Sequence, residues 1–152
     1  MITYHHVVNG KVKDATTFGM KLSEYGDNSI KTGNGFKSVI VAYLCPADDI
    51  KRYKLPNYTC LSLDVSAEKA FIVEGTYLDM DNQKALGDSL IRASEYILGT
   101  YRKPIVLITT TVFSEKIKVL GKYMDIPMIV DDSEELYLKS SLTDLENTDN
   151  RY

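Results

Sequence analysis

In the stretch AFIVEGTYLDMDNQKA, residues 70–85, an apolar run gives way to a segment that reads as a helix. Ala70, Phe71, Ile72 and Val73 form a short apolar run that reads as a buried strand. The run meets Glu74 and Gly75, and the chain then sheds carboxylates into a segment of helical character. Gly75 lacks a Cβ, so a carbonyl or ligand could approach closely after the acid, although a bulge would use the same residue. Glu74 is either a chemical group at a strand end or an ordinary polar residue where a buried strand surfaces.

Upstream, TCLSLDV (59–65) alternates Cys60 and Ser62 with Leu61 and Leu63, and FKSVIVAYL (36–44) is a β-branched run. Both read as strands. With residues 70–78 they form an expected three-stranded antiparallel meander, joined by the polar CPADDIKRYKLPNY and a short SAEK turn. Downstream, Leu86, Leu90, Ala93 and Ile97 recur at helical spacing, with Asp81 as N-cap and Gly99 as stop. KPIVLITT (103–110) is then a strand, FSEKIKVLGKYM (113–124) an amphipathic helix, and IPMIV (126–130) a last short strand. Strands alternating with helices imply parallel, right-handed crossovers and a sheet covered on both faces. The expected fold is therefore α/β, with an antiparallel meander followed by a parallel β-α-β unit and flanking helices.

At the N-terminus, ITYHHVV followed by Asn9-Gly10 and KVKD has the form of a hairpin closed by a type I′ turn. Phe18, Leu22 and Tyr25 then fall at helical spacing, with Asp14 or Thr16 as cap and Gly26 as stop. NSIKTGNG is turn-rich, SEELYLKSSL has helical spacing, and the polar end reads as a disordered tail over 141–152. Residues 1–140 are expected to form one domain.

The 152 residues are 44% hydrophobic and 26% charged, enough for one buried core. No apolar run approaches the roughly 20 residues that span a bilayer, and residues 1–14 lack the zones of a signal peptide, so the expected compartment is the cytoplasm, without membrane contact. Cys45 and Cys60 are too few for a disulfide framework and have no metal-binding spacing. His5 and His6 are adjacent, so on a strand they point to opposite faces and do not easily share a metal. The net charge of −3 argues against coating nucleic acid through bulk charge. Local basic clusters remain: Lys51, Arg52 and Lys54 of KRYK, with Lys37, Arg102 and Lys103 elsewhere.

Asp64 and Glu74 end consecutive predicted strands, and antiparallel neighbours can bring such positions side by side. Two close carboxylates repel unless a cation lies between them, and hard oxygen ligands suit Mg²⁺. Such a metal would activate water and neutralise charge on a phosphodiester.

FIVEGTYL, VLITTTVFSEKIKVLGKYMDIP and MIVDDSEEL, in the order meander, helix, apolar strand, resemble the PD-(D/E)XK nuclease superfamily, and within it the Mrr-type restriction endonucleases. The likeness covers roughly residues 58–138. It implies Mg²⁺- or Mn²⁺-dependent phosphodiester hydrolysis, with Asp64 and Glu74 as metal ligands and Gly75 lending a carbonyl. The family's catalytic lysine would fall at Thr76, so Lys69 or Lys84 would have to substitute. Gln83 and Lys84 on the following helix, with Lys51, Arg52 and Lys54, are the expected substrate contacts. Homodimers are common in this family. A member without its lysine would instead be a silent scaffold that binds nucleic acid or a protein partner.

The VEG of residues 73–75 also resembles the glutamate turn of a Toprim domain. Toprim would need a parallel unit beginning at that strand and an Asp-x-Asp at a later strand end, where this chain has Ile108, Thr109 and Thr110.

Overall fold

The structure, a computed structural model, describes residues 1–26, 28–32 and 35–123. Eight strands form one sheet: β1 (Ile2–Val8), β2 (Asn28–Thr32), β3 (Gly35–Tyr43), β4 (Tyr58–Asp64), β5 (Ala70–Glu74), β6 (Ile91–Arg92), β7 (Pro104–Ile108) and β8 (Ile117–Gly121). The order is β6-β5-β7-β3-β1-β4-β8, with β2 paired to β3 off this path. Four short helices accompany them: α1 (Val12–Phe18), α2 (Leu22–Tyr25), α3 (Thr76–Asp79) and α4 (Gln83–Asp88).

The α/β composition is as expected, but the sheet is antiparallel at every described pairing. Among the described residues no parallel pairing forms, neither that of the expected β-α-β unit nor the parallel start that a Toprim domain requires. The meander is also replaced: β1 lies between β3 and β4, and β7 lies between β3 and β5. Strand pairing is set by which edges are free when hydrophobic faces meet, and that is a long-range choice.

Asn9-Gly10 shows how this happens locally. Instead of a hairpin, Asn9–Lys11 form a 3-10 turn that runs into α1. The Asn9 side chain is held from afar: Thr59 Oγ1 donates to Asn9 Oδ1 at 2.6 Å, and Asn9 Nδ2 donates to the Pro56 carbonyl at 3.1 Å. Those bonds compete with the turn and fix β1 against β4, from Ile2↔Asp64 to Val8↔Tyr58.

The helix expected from Asp81 to Gly99 is short for a similar reason. Asn82, rather than Asp81, caps α4 by accepting from the Ala85 amide at 3.1 Å. The helix ends at Asp88, and Ile91–Arg92 become an edge strand on β5. Leu90, Ala93 and Ile97 therefore continue the spacing without continuing the helix. The helix expected over 113–124 is a 3-10 turn (Ser114–Lys116) followed by β8, which takes the outer edge of β4 with Leu63 opposite Ile117. The strand expected at 126–130, the closing segment at 133–142 and the tail lie outside the described residues.

Both faces of the sheet carry apolar clusters, as a sheet covered on both sides requires. One contains Ile40, Leu61, Leu63, Ile72, Val106 and Ile108 and is covered by Ala15, Met20 and Tyr25. The other contains Val39, Val73, Ile105 and Leu107 and is covered by Leu86 of α4. Among the described residues, no helix is long and apolar enough to cross a membrane.

Candidate functional site

β1 and β3 are neighbours in the sheet, yet they pair only at Tyr4↔Tyr43. Beyond that point β1 stays on β4 for its whole length, whereas Ile40–Tyr43 of β3 stay on β7. The two halves of the sheet therefore part, and a cavity of about 780 Å³ opens along the split. Its walls are His5, His6, Val7 and Val8 on one side and Val41 and Tyr43 on the other. The volume is within the range of small-ligand sites, and the lining mixes apolar and aromatic side chains with charged ones.

His5 bridges the split. Its Nδ1 donates to the Val41 carbonyl at 2.6 Å, taking the place of a backbone ladder bond. A carbonyl can only accept, so the proton is on Nδ1 and Nε2 carries a lone pair. Burial lowers the affinity of this ring for a second proton, and the Val41 carbonyl offsets only part of that effect. His5 is therefore a neutral acceptor on the cavity wall.

His6 points to the opposite face, as alternation requires, but it too is enclosed. It is 5% exposed beside Asp49, which is 4% exposed, with Nδ1 and Oδ2 3.5 Å apart. At that distance and orientation the contact is electrostatic rather than a hydrogen bond, and neither ring nitrogen has a hydrogen-bond partner among the described residues. Burial opposes the Asp49 charge, but His6 and Arg52, whose Nη1 is 3.5 Å from the carboxylate, outweigh it and hold the carboxyl below its usual range.

Charged groups of both signs line the rest of the cavity: the cations Lys11, Lys51, Arg52, Arg102 and Lys103, and the acids Glu24, Asp48, Asp49 and Asp79. Lys103 is paired with Asp79 at 2.8 Å and Arg52 with Asp49. Lys51 and Arg102 make no ion pair among the described residues and are exposed at the rim.

Glu74 stands at the end of β5 and is saturated. Oε1 accepts from the Thr76 amide at 3.2 Å, the Thr76 hydroxyl at 2.9 Å and the Lys103 amide at 3.0 Å, while Oε2 accepts from the Arg102 amide at 2.8 Å. Partial burial raises its carboxyl pKa, but these donors outweigh that and bring it below the ordinary value. The carboxylate is a clamp that holds the approach to β7, and Thr76, set in the lysine's place by the motif, is one of its donors.

Asp64 is on β4, separated from β5 by β7, β3 and β1. Four inter-strand spacings put the two acids about 19 Å apart across the sheet, so they cannot bind one cation. Asp64 instead lies 3.3 Å from the Met1 amine. The Gly75 carbonyl accepts from Leu78 and Asp79 amides at 3.1 and 3.3 Å, so it has helical partners rather than a metal. These residues do not fit an Mg²⁺ or Mn²⁺ site, and among the described residues no group of three or more His, Cys, Asp or Glu side chains is placed to hold a metal.

The remaining candidates are dispersed. Lys69 is exposed in the turn at the far end of β5 from Glu74. Gln83 and Lys84 are exposed on the first turn of α4 and do not line the cavity. Lys51 and Arg52 do line it, whereas Lys54 turns toward the Tyr123 ring, 5.7 Å from its centroid. The Thr109–Thr111 stretch ties neighbouring elements together: Thr109 donates to the Lys69 carbonyl and Thr111 accepts from Leu22, the first residue of α2.

Sequence reasoning placed the chemistry on the acids and passed over His5 and His6 as an isolated pair. The available signal was that one strand carries both rings to opposite faces, but only the split makes both faces part of one cavity. No family model, no curated protein and no solved structure matches this chain.

Proposed function

We propose that the split between β1 and β3 binds single-stranded nucleic acid, one or two nucleotides entering the cavity with phosphate against Lys51 and Arg102. The observation that carries this reading is the cavity itself: apolar, tyrosine and histidine walls suited to a base and sugar, with Lys51 and Arg102, two cations that make no ion pair among the described residues, outside the pairs that Arg52 and Lys103 form with the acids Asp49 and Asp79. A volume of about 780 Å³ takes nucleotide units but not a duplex. The overall charge of −3 restricts attraction to this patch.

The resemblance to nucleases would make the bound strand a substrate. The saturated Glu74 and its separation from Asp64 favour holding over metal-dependent cutting, the silent-scaffold form of that reading. Anisotropy of a labelled single-stranded oligonucleotide, followed across a salt series, tests the proposal. Lys51→Ala/Arg102→Ala should weaken binding about tenfold and lower the salt slope by about 1.4, because each lost phosphate contact contributes roughly 0.7 on a single strand. The same samples incubated with Mg²⁺ or Mn²⁺ should keep full-length strands. Unchanged affinity in the double variant would remove the cavity from consideration, and metal-dependent cleavage lost in Glu74→Ala would restore the hydrolytic reading.

A further inference from the structure

We infer that His5 makes this cleft selective for ribose over deoxyribose, its Nε2 accepting a hydrogen bond from a 2′-hydroxyl. The inference rests on the nucleic-acid reading above and supplies the specificity that reading lacks.

The Val41 carbonyl commits the ring. With Nδ1–H engaged at 2.6 Å, the ring nitrogen that is left, Nε2, is an acceptor and not a donor, on a residue that lines the cavity. Burial keeps the ring neutral, so the lone pair is not lost to a proton near neutral pH. A ligand that displaces water from this position without offering a donor leaves the lone pair unsatisfied in a partly apolar cavity, which opposes binding.

Phosphate oxygens and the ring oxygen of the sugar only accept, so they cannot pair with this atom. Within a strand, the donors are the 2′-hydroxyl and the amino or imino groups of the bases. The first is present at every ribonucleotide and absent from DNA, whereas the second change from base to base. With phosphate at the Lys51 and Arg102 rim, the sugar next to it is the group drawn against the adjoining wall. The same bond that fixes the tautomer also fixes the ring's orientation, so the acceptor needs no reorganisation when the strand binds.

Binding of three labelled strands of one sequence to the full chain tests this: RNA, DNA, and RNA with 2′-fluorine at every sugar. The fluorinated strand keeps an RNA-like sugar shape but has no 2′ donor. RNA should bind about tenfold more tightly than either of the others, the amount a single net hydrogen bond supplies. His5→Asn should bind all three alike, at the level of DNA, because the asparagine amide can still donate to Val41 while the Nε2 acceptor is gone. Equal binding of RNA and its fluorinated form overturns the selectivity while leaving the cleft reading intact, as does a preference that follows base identity or one that survives in His5→Asn. Failure of all three strands to bind overturns both. The comparison of RNA with its fluorinated form uses the unaltered protein, so it decides the matter even if His5→Asn does not fold.

Discussion

Glu74 has the appearance of a catalytic acid and the hydrogen bonding of a structural one. Its carboxylate collects donors from Thr76, Arg102 and Lys103, and Gly75 permits the approach that makes this possible. A Cβ on Gly75 would lie 2.6 Å from Ile105 Cδ1 and 2.8 Å from the Lys103 carbonyl, to which the Gly75 amide donates at 2.7 Å. Gly75→Ala should therefore destabilise the fold by about 1–3 kcal/mol in chemical denaturation through overpacking, not through lost chemistry. Glu74→Gln should destabilise by about 1–3 kcal/mol near neutral pH, since charge-assisted bonds become neutral ones. Because the folded carboxyl lies below its ordinary value of 4.5, its contribution is complete above that value and is lost as pH falls through the lowered one. Acid titration of the unfolding midpoint should accordingly be shallower for Glu74→Gln than for the unaltered chain. The glutamate and glycine were legible in the sequence as a special pair, but two of the four donors that define the carboxylate's role come from Arg102 and Lys103, almost thirty positions away.

Among the elements, strands in apolar runs were the most legible and helices the least. β3, β4 and β7 fall where β-branched and alternating residues put them, whereas β5 takes only Ala70–Glu74 of the strand expected over 70–78, the rest turning into α3. The 81–98 segment misled because Leu86, Leu90, Ala93 and Ile97 keep helical spacing while Ser89 ends the helix. Ser89 Oγ donates to the Leu86 carbonyl at 2.7 Å and accepts from the Glu74 amide at 3.0 Å, tying the end of α4 to the end of β5. Ser89→Ala should cost about 1–2 kcal/mol and increase amide exchange at Glu74, measurable by hydrogen exchange. β8 is a comparable case. Ile117, Lys118 and Val119 can alternate in a strand as readily as they can contribute to a helix, and the free edge of β4 decides between the two.

For the whole molecule, the decisive feature is that each half of the sheet takes its own strand at the split. β1 belongs to β4 and β8, β3 to β7 and β5, and Tyr4↔Tyr43 joins them. Such pairings join residues far apart in sequence, so folding should be slow, on the millisecond-to-second scale of proteins dominated by non-local contacts, as stopped-flow refolding would show. The split also concentrates what the composition disperses. Lys51, Arg102 and the two histidines come from three separate segments and converge on one cavity in a chain with more acids than bases. The loss of affinity expected of Lys51→Ala/Arg102→Ala would therefore depend on the assembled sheet, and a peptide of the KRYK turn alone should show no such dependence.

Local patterning along the chain was enough to establish buried strands, the position of most of them, and the unusual strand end at Glu74-Gly75. Apolar runs and β-branching act over a few residues, so they are readable there. Which strands are neighbours, the antiparallel sense of every described pairing, the separation of Asp64 from Glu74 and the cavity shared by His5 and His6 emerge from the packed fold. Those outcomes depend on edge-to-edge pairing and on carbonyls and amides distant in the chain, such as Val41 for His5 and Arg102 for Glu74, and local patterning carries no record of a partner so remote.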